Sequence, residues 1–445
     1  MTTLTRNYIS EISEISKSQG KSVTISGFVQ SQRNLGKLAF LTVRDASGNI
    51  QCVIDSPDLL EASQSLLPET PVRLEGELVE SPNGKGGQEI VVKSLTSLST
   101  VEATLPVELA KNKKIDKLAI STLLDYRPLT LRNEKVKAIF KIEAVILRAF
   151  RQFLESRNFT EINTPKIVAT GTEGGAQLFK LEYFGKEAYL AQSPQFYKQI
   201  MVGVFERVFE TAAVYRAEEH DTTRHLNEYI SLDFEMGFIE SEQDVIAMQV
   251  ELMKHIFKTV EENCQKELAL YEAKVPHFED IPRIGLSEAV QLLKSKYGWA
   301  PAKESEYEDL DPAGERILCE HFEKEEGLDL VYVMHYPLAA RPFYTMPLDN
   351  ESGPAKSRGF DLLFRGLEIT TGGQRIHRYP ELVGAIEARD MDPELFTEYL
   401  QCFKHGMPPH GGLAIGLERL AKQLLGLKSV KESALFPRDL NRIRP

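Results

Sequence analysis

Two neighbouring segments of this 445-residue chain constrain its fold more than any other feature. Glu228–Met236 (EYISLDFEM) alternates strictly, with Ile230, Leu232, Phe234 and Met236 facing one way and Tyr229, Ser231, Asp233 and Glu235 the other. A period of two marks a strand, here with one apolar and one wholly polar side. Arg207–Arg216 (RVFETAAVYR) reads as its partner, with Glu210, Ala212, Val214 and Arg216 on one side and Glu218 next in line. The loop between them (EHDTTRHLN, 219–227) carries Arg224 and His225. A polar row on a sheet faces either water or a polar ligand, and a solvated outer face satisfies either strand taken alone. From Glu161 onward strands and helices mix without regular βαβ alternation, which predicts an α+β domain on a mainly antiparallel sheet.

A second hairpin is expected at Phe360–Thr371 (FDLLFRGLEITT). With Arg365-Gly366 as its turn, Leu363 opposes Glu368 and Asp361 opposes Thr370. Asp361 and Glu368 then share a face as diagonal neighbours, roughly 7–8 Å apart. Two carboxylates so placed, with a hydroxyl beside them, suit Mg²⁺ bridging a polyphosphate, and two surface acids fit the pattern too. Gly372-Gly373-Gln374-Arg375 follows, a turn presenting a guanidinium able to clamp a carboxylate. A third element, His410–Gly426 (HGGLAIGLERLAKQLLG), is a glycine-rich apolar strand leading into a helix, with Glu418-Arg419 at the joint.

The first hundred residues differ in character. Five short β-rich runs, at 23–33, 37–45, 49–55, 71–80 and 89–95, are separated by turn signals. Five strands in so short a span fit a small barrel such as an OB-fold, a common platform for single-stranded nucleic acid. Residues 101–130 lack sustained periodicity and read as a hinge. Then Val136, Ile139, Phe140, Val145, Ile146, Phe150, Phe153 and Leu154 recur at helical spacing, predicting a helix from Asn133 to about Arg157.

Composition enters mainly by exclusion. Lys+Arg 53 against Asp+Glu 65 gives a net charge of −12, which argues against a nonspecific nucleic-acid coat. A basic strip at 111–151 remains, and it reads first as a solvated helix face. The four cysteines (Cys52, Cys264, Cys319, Cys402) lie far apart and read as core thiols in a reducing cytosol. The start lacks a secretory apolar stretch and no run reaches the ~18 residues of a membrane span, so a cytoplasmic location without a membrane partner is expected.

Together the segments resemble the signature of class II aminoacyl-tRNA synthetases. The long helix running into Glu161-Ile162-Asn163-Thr164-Pro165 is similar to the first motif, the 209–236 hairpin to the second and GLAIGLERL (412–420) to the third. GTEGGAQLF (171–179), QSPQFYKQ (192–199), RHLNE (224–228), GGQRIHR (372–378) and ALFPRDLNRIRP (434–445) resemble the aspartyl branch. The resemblance covers essentially the whole chain. It implies an OB-fold anticodon-binding domain over 1–105, a hinge over 106–130 and a catalytic domain over 131–445.

It also implies an activity: L-aspartate is activated by ATP as aspartyl-adenylate and passed to tRNA(Asp), with Mg²⁺ as cofactor, in a homodimer joined around Pro165. Arg216 and Arg419 would be catalytic, Arg216 at the α-phosphate and also at the aspartate α-carboxylate. Glu218 would hold the adenine amino group, and Tyr229 and Arg419 would sandwich the ring. Arg224 and His225 would reach the outer phosphates, with Ala217, Leu226, Gly416, Leu417, Glu418 and Glu368 completing the ATP site. Asp361, Glu368 and Thr371 would hold Mg²⁺. Aspartate recognition falls to Glu173, to the run Gln195, Phe196, Tyr197, Lys198, and to Thr371 and Arg375, with Lys198 and Arg375 on the side-chain carboxylate and Asp233 orienting one of them. Phe40 and Gln51 match anticodon-stacking and base-reading positions, and the basic strip becomes a tRNA-facing surface.

The interval 237–360 is too short for the large extra domain of typical bacterial aspartyl enzymes, so the chain resembles the archaeal and eukaryotic type. Phe28 stands where Trp is common, and Gln30 fits neither pattern that separates tRNA(Asp) from tRNA(Asn), which leaves tRNA(Asn) open as a second acceptor. The rivals are an asparaginyl-tRNA synthetase, an asparagine synthetase on the same core, and a non-catalytic tRNA-binding paralogue. Lys198 with Arg375 weighs against the first, the barrel against the second, and intact Arg216, Glu368 and Arg419 against the third.

Overall fold

The computed structural model describes residues 6–12, 22–81, 87–171, 177–301, 309–349 and 355–444. The chain divides into two compact units, residues 1–133 and 134–445. The first contains a closed barrel of β1 (Ser22–Asn34), β2 (Ala39–Arg44), β3 (Asn49–Ile54), β4 (Pro71–Glu80) and β5 (Gln88–Ser97), in the order β1-β2-β3-β5-β4. Alternate residues such as Ile25, Leu41, Val43, Cys52, Leu74 and Ile90 fill its interior. Gly27 and Gly76 sit where strands cross closely; a methyl group on either would collide with a carbonyl oxygen of the neighbouring strand. Phe40 and Gln51 alternate with buried Leu41 and Cys52 and stand on the outer side, where Gln51 donates to Glu89 Oε2 at 2.9 Å. Residues 106–130, expected as a hinge, belong to this first unit and carry three short helices, Asn112–Ile115, Ile120–Asp125 and Arg127–Thr130.

The second unit is built on an eight-stranded sheet and a small three-stranded one. In chain order the strands are β6 (Thr160–Glu161), β7 (Ile167–Val168), β8 (Lys180–Tyr183), β9 (Lys186–Leu190), β10 (Arg207–Tyr215) and β11 (Glu228–Gly237). They continue as β12 (Arg283–Gly285), β13 (Leu330–Met334), β14 (Gly359–Phe364), β15 (Leu367–Arg375) and β16 (His410–Gly416). The large sheet runs β12-β13-β14-β15-β16-β11-β10-β6, antiparallel except for the parallel pairs at its two ends, and β7-β9-β8 form the small sheet. The expected α+β class is therefore observed, with mixed pairing confined to the edges.

The predicted helix spans Glu134–Ser156. Its Ile142, Ile146 and Phe150 pack with Phe209, Leu232 and Phe234, so the apolar row of β11 is the floor of the core. Helix Glu242–Asn263 covers the rest of that face with Ile246, Met253 and Phe257. The polar row is left on the opposite face. Among the described residues no helix is long and apolar enough to cross a membrane. The cysteines are unpaired, with Cys52, Cys264 and Cys319 buried. Within the basic strip Arg127 is buried, Lys141 pairs with Glu267 and Arg151 with Glu161.

Candidate active site

On the polar face the sheet floors a cleft of about 390 Å³. Register places Tyr229 opposite Val214, Ser231 opposite Ala212 and Asp233 opposite Glu210. On its other side β11 pairs with β16, setting Asp233 against Ala414 and Glu235 against Gly412. The glycine-rich strand has a steric reason for its composition. A methyl group at Gly412 would overlap Phe234 O and Glu235 Oε2, so only a bare backbone lets the Glu235 carboxylate lie there.

One end of the cleft concentrates buried charge. Lys198, on helix Gln195–Phe205, is 1% exposed and donates to Asp233 Oδ1 at 3.0 Å and Leu413 O at 3.1 Å. Its ammonium also lies 3.3 Å from Glu235 Oε2. Arg375 donates through Nε to Glu235 Oε1 at 3.0 Å and through Nη2 to Gly412 O at 3.0 Å. One buried carboxylate thus serves two cations. Burial alone would push its pKa up, but Arg375 and Lys198 hold it below the usual carboxylate range. Of the run 195–198, Gln195 and Lys198 line the cleft. They sit three apart on the helix and share a face. Phe196 turns away, stacked on Tyr399 with ring centroids 4.4 Å apart, and Tyr197 is not among the lining residues.

The other end gathers Arg216, Glu218, Arg224, His225, Leu226 and Tyr229 from the β10–β11 connection and Gly416, Glu418 and Arg419 from the β16–helix joint. Glu418 accepts from the Ile230 backbone at 3.1 Å, and burial pushes its pKa up to about 8. Arg419 donates to Glu368 O at 3.1 Å and Oε1 at 3.3 Å. Arg224 pairs with Glu315 of helix Pro312–Glu326, whose pKa burial raises to about 7. Burial lowers the His225 pKa, with Glu218 Oε2 3.8 Å from its Nε2. Ala217 and Leu417 are not among the lining residues, and Leu417 is buried in the core.

The β14–β15 hairpin corrects the expected register. Leu363 opposes Glu368, but a bulge follows, and Asp361 opposes Thr371 rather than Thr370. The extra residue shifts the side-chain phase, so Glu368 and Thr371 share a face and the Thr371 hydroxyl donates to Glu368 Oε1 at 3.0 Å. Both oxygens of Asp361 are taken by Arg341, at 3.0 and 2.6 Å. Burial raises the Asp361 pKa and Glu368 adds to the effect. Arg419 and Arg341 hold Glu368 low against its own burial. Among the described residues no group of three or more His, Cys, Asp or Glu is placed to hold a metal ion. As hard oxygen donors facing the cleft, Glu368 and Thr371 fit Mg²⁺; Asp361 stands behind them on Arg341. Glu173 lies outside the described residues.

Sequence reasoning passed over Glu235, Ser231, Arg341 and Glu315. Glu235 and Ser231 were marked by their place in the polar row; Arg341 and Glu315 belong to no motif, and only the fold brings Arg341 to the cleft and Glu315 to Arg224.

The family model for tRNA synthetases class II (D, K and N) matches residues 119–440, and that for an OB-fold nucleic acid binding domain matches residues 23–98. The chain belongs to the class II tRNA synthetases of the D, K and N family. It is 48% identical over 436 residues to the Deinococcus radiodurans aspartate–tRNA(Asp/Asn) ligase, covering 97% of this chain and 98% of that one. To the Pyrococcus furiosus aspartate–tRNA(Asp) ligase it is 40% identical, covering 99% of this chain and 100% of that one. The crystal structure of asparaginyl-tRNA synthetase from Pyrococcus horikoshii with asparaginyl-adenylate is similar at a TM-score of 0.90 and 30% identity, covering 99% and 100% of the two chains. Synthetases of this class use ATP, and the barrel of this synthetase is a nucleic-acid-binding module of the kind that engages tRNA.

Proposed function

We propose that this synthetase joins L-aspartate to tRNA(Asp), and also to tRNA(Asn), through an aspartyl-adenylate. The observation that carries the amino-acid assignment is the buried pair Lys198 and Arg375, both held by Glu235 at one end of the cleft. Two fixed cations match a side-chain carboxylate; the asparagine amide would set donors against donors. The D. radiodurans relative, named for both tRNAs, shares more identity than the P. furiosus relative named for tRNA(Asp), which supports the wider acceptor range.

In the first step the aspartate α-carboxylate oxygen attacks the α-phosphorus of ATP and pyrophosphate leaves. In the second, the 3′-terminal ribose hydroxyl attacks the activated carbonyl and AMP leaves. The protein contributes position and charge rather than a proton shuttle. Arg216 neutralises the α-phosphate and steadies the aspartate α-carboxylate, and Arg419 and Tyr229 flank the adenine. Glu218 takes the adenine amino group, while Arg224 and His225 meet the outer phosphates, Arg224 on leaving Glu315. Glu368 and Thr371 would hold Mg²⁺, which when bound screens the polyphosphate charge. Lys198 is oriented by Asp233, Gln195 and Arg375 complete the aspartate contacts, and Glu173 takes the α-amino group. Phe40 stacks an anticodon base and Gln51 reads one, within an anticodon-binding domain at the N-terminal end of the chain. The synthetase works as a cytoplasmic homodimer.

Charging of purified tRNA(Asp) and tRNA(Asn) with labelled aspartate, with asparagine as control, tests this. Aspartate on both tRNAs is expected. Aspartate on tRNA(Asp) alone removes the wider acceptor range. Asparagine on either tRNA overturns the amino-acid assignment, and no charging at all restores the binding paralogue.

A further inference from the structure

Behind the amino-acid end of the cleft lie three buried groups that the two reaction steps leave unused, His410, Gln199 and Tyr399, and they connect to Gln195 and Arg375. His410 opens β16 and is 0% exposed. Its Nδ1 lies 2.9 Å from the Pro408 carbonyl oxygen, which can only accept. The proton therefore sits on Nδ1, and Nε2 presents a lone pair. Burial pushes the ring pKa down to about 4, opposed by Glu235, so the imidazole is neutral near pH 7. That lone pair is 2.9 Å from the Gln199 amide nitrogen and requires a donor, which fixes the amide with its nitrogen toward the ring. Gln199 Oε1 then faces away, accepting from the Tyr399 hydroxyl at 3.1 Å and from Gln195 Nε2 at 3.0 Å. The Gln195 amide is fixed in turn, with its Oε1 3.4 Å from Arg375 Nη2. The order of donors and acceptors runs one way, from a backbone carbonyl outside the cleft to a guanidinium inside it.

We propose that Gln199, oriented by His410 and Tyr399, is a positioning residue that keeps the Gln195 carbonyl turned to Arg375 and thereby sets where that guanidinium meets the amino-acid side chain. The inference rests on the aspartate assignment above. Glu235 and Gly412 O anchor Arg375 independently, so breaking the chain of amides leaves the cation in place and loosens one direction of its fork. With Gln199 unable to accept, the Gln195 amide is free to turn over and set donor against donor at Arg375. The effect belongs to aspartate affinity and leaves ATP alone.

Aspartate-dependent ATP–pyrophosphate exchange by the full chain tests this, with KM and kcat taken at about pH 6 and about pH 8.5. Gln199→Met, close in shape but unable to relay, is expected to raise the aspartate KM about tenfold at both pH values, with kcat and the ATP KM within about twofold. Gln199→Glu keeps an acceptor for Gln195 Nε2 and Tyr399 at both pH values. It is expected to stay below Gln199→Met throughout and to lie within about threefold of wild type at the lower pH, where a proton shared between the introduced carboxyl and His410 leaves no added charge. The charged and titratable groups facing this pair are Glu235 from β11, Lys198 on the same helix, Arg375 and His377 at the end of β15, and Tyr399 on helix Thr397–Lys404. They are common to wild type and both Gln199 variants, so the ratio to wild type isolates the introduced group. Tyr399→Phe, which keeps the ring, is expected to give a smaller rise in the aspartate KM. An unchanged aspartate KM in Gln199→Met, or an equal loss for both substrates, overturns the proposal. If Gln199→Met does not fold, absence of the Tyr399→Phe rise, or an aspartate KM raised about tenfold in Gln199→Glu at the lower pH, overturns it. Wild type without aspartate-dependent exchange refutes the assignment of function instead.

Discussion

Among single side chains, Glu418 offers a stability test that does not depend on substrate. Its carboxyl is buried, and its folded pKa of about 8 lies well above the ordinary glutamate value. A raised folded pKa means the fold favours the protonated form. The contribution is fully present below the unfolded pKa and is lost as pH rises through the folded one. Glu418→Gln keeps an acceptor for the Ile230 backbone N–H and carries no charge. The melting temperature of wild type should therefore fall relative to Glu418→Gln between about pH 5 and about pH 8.5, the two converging in acid. Parallel curves across the range would show that Glu418 titrates normally. The sequence placed Glu418 at the strand–helix joint, but burial is a property of the packed fold and no local pattern announces it.

At the level of elements, β16 and the β14–β15 hairpin determine what the cleft can hold. Gly412 leaves the space that Glu235 occupies. Gly412→Ala should cost about 1–3 kcal/mol by overpacking and displace the carboxylate that anchors Lys198 and Arg375. Denaturant unfolding should register the loss, and the aspartate KM should rise more than the ATP KM. An equal rise in both would mean that the whole sheet has shifted. The alternation of Ile230, Leu232 and Phe234 against Ser231, Asp233 and Glu235 made β11 readable from sequence, because a strand between core and ligand must sort its residues by face. The helix 134–156 was readable for the same reason at its own period. The bulge in β15 was not, since nothing in EITT distinguishes a regular strand from one carrying an extra residue. That single residue decides whether Thr371 or Thr370 accompanies Glu368. Arg341 was equally hidden, as its partner Asp361 is distant in sequence and only the sheet brings them together.

For the molecule as a whole, the OB-fold barrel belongs to one compact unit and the residues of the cleft to the other. Phe40, on the outer side of the barrel, is expected to stack on an anticodon base, worth ~1–3 kcal/mol. Phe40→Ala should raise the KM for tRNA about tenfold and leave tRNA-free pyrophosphate exchange intact. Equal loss in both assays would mean that the barrel packing had failed instead. The barrel was legible in sequence through its short strands, and the class II core through motifs that resemble that family; the mutual burial of Lys198, Arg375, Glu235 and Asp233 was not, because it joins residues from a helix and two strands. That shared carboxylate also bears on how such a chain can change its amino acid over generations. Replacing either cation alone strands part of a buried charge, a change that typically costs about 3–5 kcal/mol. A change toward a neutral substrate that removes one cation is therefore expected to destabilise this chain unless the carboxylate left behind, Asp233 or Glu235, is neutralised with it.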